Sequence, residues 1–443
     1  MKTFSQGIHP KYNKKKTANK ATRELPPPKK VIIPLHQHTG ATCEPLVKVG
    51  DEVQEGQKIG DTSKFVSAPV HASISGKVTR IDKLPHPCGT EVLAVVIESQ
   101  PVNQSTGQPV ESGPADRQTG RPADLSPEEI RQVVREAGIV GLGGAAFPTH
   151  VKLAPPEGKK IDTVIINGCE CEPYITADHR LMLEKTEEVV DGARIIAKAV
   201  EADRIVIAIE DNKPDAKERL KSVARKHKEN ITVVELETKY PQGGEKMLVK
   251  AALGREVPSR GLPLDVGVVV SNVGTAVAVI EAVRFGTPLI KRYLTVTGPG
   301  IKEPSNVVAR IGTTFKEVID HCGGLTDNAA QVIMGGPMMG VSQVSLEVPV
   351  VKATSCVLVL TRREMAEEKT YPCVKCAKCV SHCPMFLVPS RLAAFSDNGK
   401  YGEFEEWGGQ DCIECGSCAY VCPARIPIVH WVKLAKFKLR QMK

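Results

Sequence analysis

The chain has 443 residues, 41% hydrophobic and 25% charged, with a net charge of +8. That is ordinary globular composition with room for roughly two to four domains. Aromatic residues make up only 4%, which speaks against a base-stacking platform for nucleic acid.

The positive charge is uneven. Residues 1–30 carry nine Lys/Arg and one acid, Glu24, and the stretch from Lys433 onward carries five more Lys/Arg and no acid. Such ends suit anionic partners, or are simply solvated tails. The start, "MKTFSQGIHPKYNKKK", lacks the apolar stretch of a secretory signal. The most apolar segment, "LDVGVVVSNVGTAVAVIEAV", is interrupted by Asp265, Ser271, Asn272 and Glu281. It reads as a buried strand and turn, not a membrane span. The expectation is a cytosolic protein, or one held at a membrane through partners.

In chain order, the basic segment 1–30 gives way at 31–100 to short β segments punctuated by Gly, Pro and Asp. "VKVGDEVQEGQ" and "APVHASISGKV" resemble the two halves of a biotinyl/lipoyl-type β-sandwich. Lys64 lacks the flanking pattern of a carrier lysine, so a structural or docking module is expected. Residues 101–124 are rich in Pro, Ser, Gly and Gln and read as a linker. "LSPEEIRQVVREAGI" starts a helix, with Ser126 as N-cap, Pro127 in the first turn and Glu129 completing a capping box.

Strand and helix patterns then alternate: "IDTVIING", "HRLMLEKTEEVVDGARIIAKAV", "RIVIAIE", "KPDAKERLKSVARKH", "ITVVEL". Continuous apolar strands alternating with helices predict a Rossmann-like α/β domain with a mostly parallel sheet over 125–288. Residues 289–350 read as a small β-grasp-like domain of soluble-ligand-binding type, with one helix. Residues 351–443 read as cysteine-rich and mostly helical. The expected fold class is therefore multidomain α/β.

Fourteen cysteines are many for a chain without a secretory signal. In a reducing compartment, tight repeated spacing means metal before it means disulfide. "CVKCAKCVSHCP" supplies Cys373, Cys376, Cys379 and Cys383, and "CIECGSCAYVCP" supplies Cys412, Cys415, Cys418 and Cys422. Both are C-x2-C-x2-C-x3-C-P, the two-cluster ferredoxin run in which the fourth cysteine serves the other cluster. The expected ligand sets are Cys373/Cys376/Cys379/Cys422 and Cys412/Cys415/Cys418/Cys383. Zinc ribbons use paired C-x2-C knuckles instead. Two adjacent clusters form a one-electron path, which needs a donor and an acceptor.

"GLGGAAFPTHVK", Gly141 to Lys152, is glycine-rich but follows a helix and lacks the P-loop ending. By its own spacing it is a phosphate loop or a tight turn. Three more Gly-bearing polar segments come from the same domain: "NGCECEPY", "YPQGGEKML" and "SNVGTA". Each follows an apolar strand, where α/β sites lie.

These four segments resemble the flavin- and NADH-binding subunit of respiratory complex I. Together with "GIHP", "PLHQHTGA", "EPLVKVGD", "VSAPVHASISGKV" and the double cysteine run, they resemble still more closely the C subunit of the Rnf complex. That complex is a membrane-bound ferredoxin:NAD+ oxidoreductase of bacteria. This resemblance covers nearly the whole chain, and the set in this order is highly specific.

The resemblance implies FMN, two [4Fe–4S] clusters and NAD(H) as substrate. It implies that Gly141, Gly143, Gly144, Phe147 and Lys152 line the FMN phosphate and ring, and that Asn167 contacts the flavin. Glu170 and Glu172 would lie near the flavin and the NADH ribose. Tyr240 and Glu245 would cover the same pocket, and Asn272 and Thr275 would meet the FMN end. Complex I relatives often have Asp where this chain has Cys169, and a second acid where it has Gly244. Cys169 and Cys171 read as pocket wall, not a metal site. No protein catalytic residue is expected, because hydride transfer needs no general base.

The implied partners are the membrane subunits and the ferredoxin-like B subunit, with no nucleic acid. The implied location is peripheral, on the cytoplasmic side of the bacterial cell membrane. A soluble reductase resembling the cobalamin reductase of microcompartments, and a non-enzymatic electron-carrier scaffold, are the competing readings. Three side features read as structural. His36, His38 and His71 read as surface or turn residues, Cys43, Cys88, Cys322 and Cys356 as core thiols, and Met338–Met339 as turn packing.

Overall fold

The computed structural model describes residues 2–99, 125–365 and 369–442. The linker expected over 101–124 lies outside the described residues.

Two small sheets form the first domain. Strands Lys30–Pro34, Thr90–Glu98, Gly76–His86 and Glu52–Val53 make one; Glu44–Pro45, Lys58–Asp61 and Val70–His71 make the other. Alternate residues Val31 and Ile33 and, opposite them, Val95 and Ile97 turn inward to a shared core, the period-2 signature of a half-buried strand. Lys64 is exposed. The neighbouring turn docks on the next domain. Thr39 donates its N–H to Ala146 O (3.2 Å) and its hydroxyl to Ala145 O (2.7 Å), both on the glycine-rich loop. Of the histidines expected at the surface or in turns, His38 lies in a bend and His71 in a strand, and both are buried; His38 Nε2 bonds Ala41 O and Ser67 Oγ.

The second domain opens as its capping box predicts. Helix Pro127–Glu136 starts at Ser126, whose side chain accepts from the Glu129 N–H. Four parallel strands follow in chain order: Thr163–Gly168, Arg204–Glu210, Asn230–Leu236 and Val268–Asn272. Their spatial order is third, second, first, fourth. The order therefore reverses between the first and fourth strands, and a crevice opens at their C-terminal ends. The single helix expected after the first strand is two, Ala177–Glu184 and Thr186–Ala199. They break at Lys185, which pairs with Glu281.

The third domain holds a six-stranded mixed sheet with helix Phe315–Asp320. Its central strand Cys356–Thr361 runs between Lys291–Thr297 and Ala329–Met334. This corrects the expected boundary at 350, which puts the strand with the cysteine-rich segment. Its six residues are all buried, and a run of that kind is satisfied only inside a sheet covered on both faces. Lys352 is 1% exposed and donates to Pro69 O and Gly138 O, tying all three domains together.

The cysteine segment packs short helices on Ile428–Met442. This basic end is no solvated tail, because Ile428, Val432, Ala435 and Leu439 bury one face of the helix. The N-terminal segment is not a solvated tail either. It is a strap. Lys2 bridges Leu236, Ile8 pairs with Tyr240, and Arg23–Glu24 adds an edge strand to the six-stranded sheet. Phe4, Ile8, Thr17 and Leu25 are buried along it. Its lysines donate to main-chain carbonyls: Lys2 to Ala252, Lys14 to Glu170 and Ile175, Lys20 to Pro304.

Candidate flavin and cluster site

Asn167, one residue before the end of the first strand, and Asn272, the last residue of the fourth, sit opposite each other in register. They therefore stand at the point where the strand order reverses. Asn272 caps helix Val273–Phe285 by accepting the Gly274 N–H, and its amide donates to Asp178 Oδ2 at 2.7 Å. The glycine-rich loop lies directly on it. A Cβ at Gly143 would fall 2.8 Å from Asn272 Nδ2, so only glycine lets the loop come this close. The Leu142 N–H donates to Thr275 Oγ1 at 3.0 Å, and Leu142 O accepts from buried Arg292. Gly143, Gly144 and Ala145 are exposed, leaving their backbone open to a ligand at a capped helix N-terminus.

The other two segments close on the same edge. The Asn167 amide donates to Gly243 O (2.9 Å), and the Gly243 N–H meets Cys171 Sγ (3.4 Å). Lys152 pairs with Glu245 and donates to Val270 O (3.0 Å). Helix Glu245–Leu253 thus begins beside the lysine that ends the glycine-rich stretch. Gly141 donates to Phe147 O, folding the loop back on itself. Burial pushes the Cys171 thiol up to about 12 and Cys169 upward too, so both are neutral wall groups.

The two acids of "CECEP" have separate partners. Glu172 accepts N–H bonds from Met338 (3.2 Å) and Met339 (2.9 Å) of the third domain. A Cβ at Gly336 would fall 2.2 Å from Glu172 Oε2, so that turn needs its glycine. Burial still pushes the Glu172 carboxyl up to about 7, against the pull of those N–H groups. Glu170 accepts the Asp178 N–H (2.6 Å) and lies 3.8 Å from Lys14 Nζ. Burial raises its carboxyl, and Lys14 pulls it back.

Tyr240 does not cover the crevice. It is fully buried and donates its hydroxyl to Cys415 O at 2.7 Å. Ile8, Tyr240 and Cys415 form one apolar cluster, ringed by Cys171, Met338, Ile413 and Val421. The Met338–Met339 turn is thus packing, as expected, but it packs between the acidic loop and the cysteines.

The eight spaced cysteines stand around two cavities. One is lined by Cys383, Cys412, Cys415 and Cys418. The other is lined by Cys373, Cys376, Cys379 and Cys422. The fourth cysteine of each run has crossed to the other's cavity, as two-cluster runs require. Among the described residues no three His, Cys, Asp or Glu converge tightly enough for a single ion. Four cysteines line each cavity, the ligand count of a [4Fe–4S] cluster. Lys436 of the last helix donates to Cys412 O and pairs with Glu414, holding the first cavity's loop. Of the cysteines expected as core thiols, Cys43, Cys322 and Cys356 are buried, whereas Cys88 is exposed.

Sequence reasoning missed Lys14, Asp178 and Thr39. None has a local signal. Lys14 is one of nine cations in an aperiodic basic run.

A backbone loop at the switch point of a doubly wound sheet, joined through a buried tyrosine to paired cysteine cavities, defines a class. This is a flavin and iron–sulfur electron-transfer protein. Residues 134–281 match the Nuo51 FMN-binding domain, 2–102 the RnfC barrel sandwich hybrid domain, 293–342 the SLBB domain and 365–423 the 4Fe-4S dicluster domain. The chain is 48% identical, over 99% of its length and 94% of the relative's, to the C subunit of the proton-translocating ferredoxin:NAD(+) oxidoreductase complex of Clostridium ljungdahlii. It is 47% identical, over 98% and 96%, to the Na(+)-translocating counterpart of Acetobacterium woodii. It is 42% identical, over 98% and 83%, to the C subunit of the ion-translocating oxidoreductase complex of Rhodobacter capsulatus. The chain belongs to this family of Rnf C subunits. FMN and iron–sulfur clusters are its cofactors. No helix among the described residues is long and apolar enough to cross a membrane.

Proposed function

We propose that this chain exchanges electrons between NAD(H) and the other subunits of an Rnf-type ferredoxin:NAD+ oxidoreductase, whose partner subunits link the transfer to ion movement. When bound, FMN supplies the conversion between two-electron hydride transfer and one-electron steps, and the clusters carry single electrons. Gly141, Gly143, Gly144, Phe147 and Lys152 hold the FMN phosphate and ring, with Asn167, Asn272 and Thr275 at the strand ends. Glu170 and Glu172 face the flavin and the ribose of NAD(H). Glu245 fixes Lys152.

The observation that carries this reading is the Tyr240–Cys415 hydrogen bond. It joins the crevice segment "YPQGGEKML" to the cavity of Cys383, Cys412, Cys415 and Cys418. That cluster is therefore the inner one, next to the flavin. The cluster of Cys373, Cys376, Cys379 and Cys422 is the outer one. Its rim exposes Tyr371 and Val374 beside Lys375 and Lys378, a surface suited to an acidic one-electron partner. We place the protein peripherally, on the cytoplasmic side of the membrane.

Anaerobic titration of the holoprotein with NADH tests the reading. Flavin bleaching followed by cluster reduction is expected. Flavin and cluster bands that NADH leaves unchanged would overturn it. Membrane association that high salt disrupts would support the peripheral placement.

A further inference from the structure

We propose that Lys14, on the N-terminal strap, is a positioning residue for Glu170 and thereby for NAD(H) binding. The inference rests on the reading of Glu170 as a ligand-facing acid.

The acidic loop 169–175 is strained. Glu170 has φ +50° and Tyr174 φ +71°, a left-handed backbone that residues other than glycine rarely adopt. Such strain persists only where surroundings impose it. The strap meets the loop at both points. Tyr12 O accepts the Tyr174 N–H at 2.7 Å. Lys14 Nζ donates to Glu170 O at 2.6 Å and to Ile175 O at 2.7 Å. One ammonium thus spans the loop from the first strained residue to just past the second.

The same ammonium is the counter-charge of Glu170. Side-chain exposures are 13% for Lys14 and 3% for Glu170. Glu170 Oε1 accepts the Asp178 N–H, whereas Oε2 has no hydrogen-bond partner among the described residues and faces Lys14 at 3.8 Å. The other charges around Glu170 come from three elements. Asp178 lies on helix Ala177–Glu184. Lys213 precedes helix Pro214–Ala224, bonds Cys169 O and pairs with buried Glu210. Glu172 lies two residues on, held by the Met338 and Met339 N–H groups. Lys213 is already engaged by Glu210. Without Lys14, Glu170 would share its pocket with further carboxylates and would take up a proton to avoid a buried unpaired charge. A protonated acid on a relaxed loop no longer offers two acceptor oxygens to a ribose diol. Lys15 and Lys16, next in the chain, are exposed and make no such contact.

The test measures equilibrium affinity of the FMN- and cluster-loaded holoprotein for ADP-ribose, which carries the ribose without hydride chemistry. Lys14→Met is expected to weaken binding about tenfold at pH 7, with flavin content and cluster spectrum retained. The loss recedes at higher pH, where Glu170 ionises without help. Lys14→Gln keeps a donor for the carbonyls without the charge, loses less, and serves if Lys14→Met does not fold. Lys16→Ala binds as wild type. Because Lys14 acts through Glu170, the pair Lys14→Met/Glu170→Gln binds no more weakly than Glu170→Gln alone. Unchanged affinity in Lys14→Met and Lys14→Gln, or additive losses in the pair, would overturn the proposal while leaving Glu170 in the site. Unchanged affinity in Glu170→Gln would remove Glu170 from the site, and the role of Lys14 with it.

Discussion

The two cysteine runs have the same spacing and the same closing proline, yet the fold treats them differently. Cys373 and Cys376 are exposed, and apolar Val374 stands in solvent beside them. Cys415 is buried, with its carbonyl hydrogen-bonded to Tyr240 and its neighbour Gly416 against Met338 O. The second run is packed into the flavin domain through Ile413 and Val421, whereas the first faces outward. Identical coordination motifs thus meet different surroundings, and in the proposed electron path it is packing rather than ligand chemistry that makes one station inner and the other outer.

The strongest way to break this comparison is to remove one station at a time. Cys415→Ser is expected to abolish NADH-driven reduction of both clusters while NADH still bleaches the flavin, as read by optical and EPR titration. Cys376→Ser should leave NADH reduction of one cluster intact and abolish delivery to an external one-electron acceptor protein. Reversed outcomes would exchange the inner and outer assignments.

Lys152→Ala sharpens the flavin end. Lys152 fastens Glu245 and Val270 O beside the strand ends. Its loss is expected to lower the retained FMN per chain severalfold, about 1 kcal/mol of binding, with the cluster spectrum unchanged. Unaltered flavin content would count against the assignment.

A smaller effect tests the loop that bridges the two regions. Glu172 titrates near 7 in the folded chain and near its ordinary 4.5 when unfolded. Between those values the folded state holds a proton that the unfolded state has released. Stability therefore falls as pH rises through this window, by up to about 3 kcal/mol from this group. In urea unfolding of the cofactor-free chain, the stability difference between wild type and Glu172→Gln should shift by up to that amount across this window, to the disadvantage of wild type as pH rises. The mildest change, Tyr240→Phe, strands the Cys415 carbonyl at a cost of about 1–3 kcal/mol. Thermal melts should register it, with all cofactors still present.

Much of this is legible in the sequence because it is local. The capping box at Ser126 and Glu129 folds as written, since those contacts span three residues. The three strand-end segments converge because a parallel sheet brings its C-terminal ends to one edge. The basic ends mislead for the complementary reason. Charge composition reads as solvation unless a partner is in view, and the partners of Lys14 and Lys436 are carbonyls brought close only by folding. Strand Cys356–Thr361 groups by position with the cysteines that follow it because an apolar run does not name the sheet it will enter.

The sequence by itself determined the cofactor chemistry. Cysteine spacing selects a cluster type because it depends on distances along the backbone, whereas the glycine-rich loop by its own spacing is a phosphate loop or a tight turn, and the resemblance implies FMN. Only the tertiary structure brought Cys415, and not the outward-facing Cys373 and Cys376, against Tyr240, and set a lysine at position 14 beside a glutamate at position 170. Those relations join segments far apart in the chain, where burial and hydrogen-bond satisfaction, not local preference, choose the neighbours.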